Sequence, residues 1–410
     1  MVPSGWKSAT IGKLTTKVGS GVTPKGGSDS YKHNGIPLIR SQNVLWGKLD
    51  LSDVAFIDNK QHQKMKGSVV KKSDVLLNIT GASIGRVALS NVDEANVNQH
   101  VCIIRAKDIL YPGYLKDFLL SFSGQKQIEQ CQAGGNRQGL NFEQIKAFKI
   151  PVPPIAEQQK IAKILSTWDK AISTTEALID NSKQQKKALM QQLLTGKKRF
   201  PGFEGEWEEV KLGEITDFIK DGTHGTHKRY ENGIPMLSAT NITKKHTVCF
   251  NGAPNISEED YKKIHAKYEI ASEDILLTVV GTLGRVAIVP VVNKFTLQRS
   301  VAIIRVKKNV SNKFLMQKFS STDFTHLLKI MSNSTAQAGV YLGELSKIKI
   351  LLPQLKEQQK IASVLTNADK EIELLEQQLA DLKQEKKALM QQLLTGKCRV
   401  KIDSIEAAMT

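Results

Sequence analysis

A chain of 410 residues with 40% hydrophobic content can bury two or more ordinary cores, and its formal charge of +18 points to a polyanionic partner. It has no apolar run of about eighteen residues, and its start, MVPSGWKSAT, lacks an apolar signal region; a soluble, unexported protein is expected. Cys102, Cys131, Cys249 and Cys398 lie far apart with no C-x-x-C pair, which argues against a zinc site or a disulfide framework.

Residues 1–150 read as a mixed α/β domain. The apolar runs Ile36–Ile39, Val75–Ile79, Arg86–Leu89 and Val101–Ile104 have strand length and are punctuated by Gly, Asn and Asp. Leu115–Cys131 reads as one helix. Polar loops rich in Gly, Ser, Asn and Lys separate these elements, notably Gly19–Asn34 and Ala133–Asn141. The segment Ala147–Pro154 reads as a strand leaving the domain into a proline-stiffened joint.

From Ile155 to Thr195 neither proline nor glycine interrupts the chain. Apolar positions step by four and three through Ile161, Leu165, Trp168, Ile172, Ile179, Leu189 and Leu193, a heptad seam with weaker members at Thr175, Ser182 and Lys186. Gly196 supplies the stop. Such a helix would be about 60 Å long and wants a partner helix. Residues 199–350 repeat the mixed domain. The stretch 351–397 repeats the helical region, with its seam at Ile361, Leu365, Ile372, Leu375, Leu379, Leu382, Leu389 and Leu393 and its stop at Gly396; 398–410 is expected to be a C-terminal tail.

The duplication is explicit. KKALMQQLLTGK stands at Lys186–Lys197 and again at Lys386–Lys397, and 25 of 43 positions agree between 155–197 and 355–397. Because domain termini commonly lie close together, the second helix is expected to return antiparallel to the first. The expected fold is α+β: two similar mixed domains joined by two long antiparallel helices as a coiled coil, with internal pseudo-two-fold symmetry. The halves differ in charge. Residues 1–200 carry 29 Lys+Arg against 15 Asp+Glu, and the remainder 29 against 25.

No nucleotide-binding loop, nucleophile elbow, H-E-x-x-H or Asn-Pro-Pro-aromatic tetrapeptide is present, so no catalysis by this chain is expected. His224 and His227 could share a loop site, but read better as surface polar residues. The loops do carry the residue types that read DNA: arginine forks onto guanine, Asn and Gln onto adenine, and Lys, Ser and backbone amides hold phosphates. The candidates in the first domain are Lys25, Arg40, Ser41, Gln42, Asn43, Asn136, Arg137 and Gln138. In the second they are Lys228, Arg229, Ser238, Thr240, Asn241, Gln298, Arg299 and Gln337. Gly85-Arg86 and Gly284-Arg285 fit either a structural turn or a phosphate contact. Polar residues repeated on the helices, Gln158, Gln159, Gln184, Gln358, Gln359 and Gln384 with Lys160 and Glu357, are assigned to an exposed face that binds one partner twice.

The paired strand–Pro–Glu-Gln-Gln-Lys-Ile-Ala segments (150–162, 350–362), the long helices and the closing Leu-Met-Gln-Gln-Leu-Leu-Thr-Gly-Lys (189–197, 389–397) resemble the specificity subunits of type I restriction–modification enzymes. GSGVTPK at Gly19–Lys25 also looks like that family's first-domain opening; Asp221–Gly225 departs from it. The resemblance implies a prokaryotic cytoplasmic protein with two target-recognition domains, each reading half of a split double-stranded DNA target. It implies two modification subunits, which supply the S-adenosylmethionine site for adenine methylation, and restriction subunits that use ATP and Mg for translocation and cleavage. The helices would set the half-site spacing, with grooves on one DNA face recurring about every 34–36 Å. The competing reading is a stand-alone nucleic-acid-binding scaffold that recruits no enzyme. A self-sufficient methyltransferase is a third, lacking a recognisable methyl-donor site.

Overall fold

The computed structural model describes residues 2–132, 139–291, 294–333 and 339–402. It forms two compact units, one of Met1–Glu176 with Gln377–Thr410, the other of Ala177–Glu376. Two uninterrupted helices of 39 residues, Ile155–Leu193 and Leu355–Leu393, each give 22 residues to one unit and 17 to the other. None of the described helices is long and apolar enough to cross a membrane.

In the first unit, an antiparallel sheet runs in spatial order Thr15–Ser20, Val101–Ala106, Val75–Asn78 and Val87–Leu89. Val75, Leu76 and Leu77 pair with Ile104, Ile103 and Cys102. The continuous apolar runs follow from burial of both sheet faces: Val75, Leu77, Cys102 and Ile104 face the main core, and Leu76, Val101 and Ile103 face a second core. That second core is shared with the sheet Ala55–Ile57, Ile36–Ile39, Glu94–Val97 and Val69–Lys71. Arg105 seals one end, donating from Nε and Nη2 to the two oxygens of buried Asp74 at 2.8 and 2.7 Å. Burial pushes the Cys102 thiol up to about 12.

The second unit repeats the plan. Ile275–Thr278 lies between Val301–Val306 and Val286–Ile288, and Arg305 grips Asp274 with two bonds of 2.8 Å.

Two sequence expectations change. The span expected as one helix is two, Pro112–Leu120 and Phe122–Gln132. The chain turns at extended Ser121, tightly enough that a Cβ at Gly124 would sit 2.3 Å from Phe118 O. The strand expected to lead into the proline joint is present as Lys149–Val152, pairing antiparallel with Lys7–Thr10 ahead of the long helix. The expected tail starts later than residue 398, since Arg399 is ion-paired to Glu157 and Val400 packs on the core.

Within each unit the halves of the two long helices pack antiparallel. In the first, Ile161 and Leu165 share a core with Met390, Leu393 and Leu394, while Lys386 Nζ meets Asp169 at 2.5 Å and Lys383 Nζ meets Glu176 at 2.7 Å. In the second, Ile361 and Leu365 meet Leu193 and Leu194, and Lys186 and Lys183 pair with Asp369 and Glu376. The polar seam positions 186 and 386 are thus occupied by lysines with carboxylate partners. Trp168, Ile172, Leu189, Ile372, Leu375, Leu379, Leu382 and Leu389 are half-buried, and Ile179 is buried. Gly196 and Gly396 both sit at φ 71°, a helix-ending conformation disfavoured by other residues; at Gly396 a Cβ would lie 2.4 Å from Pro3 Cγ.

Candidate nucleic-acid interface

In the first unit, polar loops distant in sequence meet where strands end. Gly21 donates to Asn98 O at 3.2 Å, in a space so narrow that a Cβ would fall 1.7 Å from Val97 O. This backbone approach brings the Gly19–Lys25 segment against the turn Asn98–His100. Thr23 Oγ1 donates to Gln99 Oε1, Gln99 Nε2 lies 3.0 Å from His100 Nε2, and His100 Nδ1 lies 2.5 Å from Thr80 Oγ1. Thr80 in turn bridges to Gly139. Asn98 N donates to Ile39 O at 3.1 Å and Asn78 Nδ2 to Ser41 O at 2.8 Å, which adds the 40–43 loop to the same cluster.

The second unit gathers equivalent segments. Thr223 N donates to Leu297 O, Arg299 N to Thr223 O and Gln298 N to Leu237 O, at 2.8, 3.1 and 2.8 Å. Val280 bridges Gly339. The chemistry differs: His224 Nε2 lies 2.6 Å from Asp221 Oδ2, and His227 Nε2 lies 2.8 Å from Thr223 Oγ1. A cavity of about 200 Å³ opens here, rimmed by Asp221, His224, Arg299 and exposed Tyr341 over apolar Val280 and Leu342. The histidines therefore serve separate local partners, and no group of three or more possible metal ligands occurs among the described residues.

The candidate side chains fall into distinct groups. Lys25, Gln42, Lys228, Arg229, Thr240 and Arg299 are exposed, and Arg40, Ser41, Ser238 and Gln298 half-buried. Lys228 Nζ stands 5.7 Å from the Tyr230 ring centre. Arg40 and Gln42 are partly engaged, donating to Asp53 O at 3.1 Å and Asp53 Oδ2 at 2.9 Å. Asn43 and Asn241 are corrected: both are buried and brace their own turns. Asn43 bonds Arg40 N, Asp50 O and Asp53 O, and Asn241 bonds Ser238 N and Cys249 O, so neither amide is available to a base. Asn136, Arg137, Gln138 and Gln337 lie outside the described residues. Arg285 donates to Ile242 O at 3.1 Å, the structural role of the two considered for it.

The face assigned to a partner also needs correction. Gln158 is fully buried, accepting from Tyr111 N at 2.8 Å and donating to Ile109 O and Pro153 O at 3.1 and 2.9 Å. Gln358 repeats the bracket with Ser311 N and Pro353 O. Glu357 is buried against Arg199, at 2.9 and 2.7 Å, and Glu157 takes two bonds from Arg399 and one from Trp6 Nε1 at 3.1 Å. Gln184, Gln359 and Gln384 are exposed and Gln159 half-buried. Sequence reading missed Gln99, His100 and Tyr341. For Gln99 a signal existed, the offset of 200 that relates it to Arg299.

A polar-loop cluster mounted on the main sheet recurs in both units, each with halves of the paired long helices, so the chain presents two similar heads. The chain belongs to the family of the type I restriction modification DNA specificity domain, whose model matches residues 3–182 and 204–384. It is 26% identical over 98% of its length, and 95% of the relative's, to a putative type I restriction enzyme MjaX specificity subunit of Methanocaldococcus jannaschii. To the EcoKI specificity subunit of Escherichia coli it is 22% identical, over 88% of this chain and 81% of that one. The S subunit of a type I restriction–modification system from M. genitalium shares the fold, with a TM-score of 0.61 at 17% identity, covering 98% of this chain and 97% of that one. Members of this family are recognition subunits and not catalysts.

Proposed function

We propose that this chain is the DNA-specificity subunit of a type I restriction–modification assembly, each unit reading one half of a bipartite double-stranded target. The carrying observation is the repeated convergence, in each unit, of exposed polar loops at the strand ends around residues 99 and 299. Phosphate contacts from residues such as Lys25, Lys228 and Arg229 would hold the duplex while loop side chains meet base edges. The long helices, uninterrupted for 39 residues, would fix the half-site spacing and dock two modification subunits. Those subunits would hold S-adenosylmethionine and methylate adenine; restriction subunits with ATP and Mg would add cleavage. Of the six candidate helix glutamines, Gln184, Gln359 and Gln384 are exposed to such partners.

The test is genome-wide mapping of methylated adenines with and without this gene, repeated after a four-residue insertion in each long helix near Ser182 and Lys383. A split motif that vanishes with the gene, and whose gap changes with the insertions, is expected. Methylation indifferent to the gene would refute the reading. Pull-down of the chain with a cognate modification subunit separates it from a scaffold that recruits no enzyme.

A further inference from the structure

The turns Asn98–His100 and Gln298–Ser300 occupy the same place in the two units. Each joins a buried short strand to the central strand of the main sheet and closes with the amide of residue 101 or 301 on the carbonyl of residue 98 or 298. Several flanking groups are committed. Asn98 Oδ1 accepts from His100 N at 3.1 Å, His100 lies between Gln99 and Thr80, and Ser300 Oγ caps Ala239 N at 3.1 Å. The middle residue of each turn, Gln99 or Arg299, is exposed.

The two side chains differ in what they can offer a base. Gln99 is pre-oriented: its Oε1 takes one bond from Thr23, and with the imidazole proton on Nδ1 toward Thr80, its Nε2 gives one bond to His100. A primary amide has two donors and two acceptor sites, so one of each remains. That pair matches the N6 donor and N7 acceptor on the major-groove edge of adenine. The Arg299 guanidinium makes no hydrogen bond or ion pair among the described residues, leaving its donor fork for the O6 and N7 acceptors of guanine.

Resting on the bipartite reading above, we infer that residues 99 and 299 are equivalent specificity determinants, Gln99 selecting an adenine in one half-site and Arg299 a guanine in the other. Discrimination of about 5- to 150-fold at each of these base pairs is expected. The experiment maps methylated adenines in cells carrying the complete system with wild-type chain, R299Q, R299K or Q99A. A split wild-type motif is expected to contain a guanine in one half that R299Q replaces by adenine, the other half remaining unchanged. R299K keeps the charge without the planar fork, so the same guanine should relax, while Q99A should relax an adenine in the other half only. Guanine retained at every position in R299Q overturns the assignment. If R299Q abolishes methylation, an unaltered motif in R299K overturns it. A wild-type motif that is not split overturns the bipartite reading itself.

Discussion

Replacing Gln158 by Ala separates two roles for the repeated helix glutamines. Gln158 is fully buried, and its amide satisfies three main-chain groups, Tyr111 N, Ile109 O and Pro153 O. Each bond contributes about 1 kcal/mol net, and an amide N–H left unpaired costs about 1–3 kcal/mol. Alanine also leaves a space where the side chain lay. The expected loss is about 3–5 kcal/mol. For a unit of about 200 residues that lowers the melting temperature by roughly 10 °C. Gln358 makes two such bonds, to Ser311 N and Pro353 O, so Gln358→Ala should cost about 1 kcal/mol less. Gln159→Ala, on half-exposed surface, should change stability by about 0.5 kcal/mol at most. Thermal unfolding followed by circular dichroism measures the effect, and hydrogen exchange at the Tyr111 amide localises it. A Gln158→Ala chain that melts with the wild type yet loses a binding partner would refute the bracket and restore a contact surface.

Asp117 is buried beside Lys116 Nζ at 2.9 Å, and burial pushes its carboxyl up to about 6. A folded-state value above the unfolded one gives a stabilising contribution that is complete below about pH 4 and lost as pH rises through about 6. Asp117→Asn should therefore flatten the stability profile between those values, by on the order of 2–3 kcal/mol; a urea-midpoint series with the wild-type slope would contradict this. Arg399→Ala should destabilise the first unit by leaving Glu157 with Trp6 alone. Arg199→Ala should do more to the second, because Trp207 Nε1 has no hydrogen-bond partner there; equal shifts in melting temperature would count against it. Finally, with 29 basic against 18 acidic residues in the first unit and 29 against 22 in the second, binding to the half-site of the first unit should weaken faster with salt. Titrations of the full chain with duplexes bearing one half-site each should give unequal slopes.

The long helices were legible because 155–195 holds no helix breaker and its seam lies in one register, so local propensity and packing agree. The buried strands were legible as apolar runs for a related reason, since both faces of the main sheet are covered. Burial of polar residues was not legible. Asn43 and Gln42 are adjacent and chemically alike, yet the turn 41–43 directs the first inward to Asp50 O and leaves the second exposed. Likewise Gln158 and Gln159 are identical neighbours on one helix, and it is main-chain groups as far as 49 residues earlier, Ile109 O and Tyr111 N with Pro153 O, that distinguish them.

Repetition marked a constraint without naming what imposes it. Glu157 begins the first long helix, and its partner Arg399 lies just past the end of the second; Glu357 begins the second, and its partner Arg199 lies past the end of the first. Each unit thus closes around the start of one copy and the finish of the other, with the buried Leu193/Leu194 and Leu393/Leu394 pairs beside these locks. A change at the start of one copy must fit the end of the other. That reciprocal fit accounts for EQQKIA and LLTGK standing unchanged in both halves while the loops around residues 99 and 299 are free to differ, which is the division expected of a fixed frame carrying two independently chosen reading surfaces.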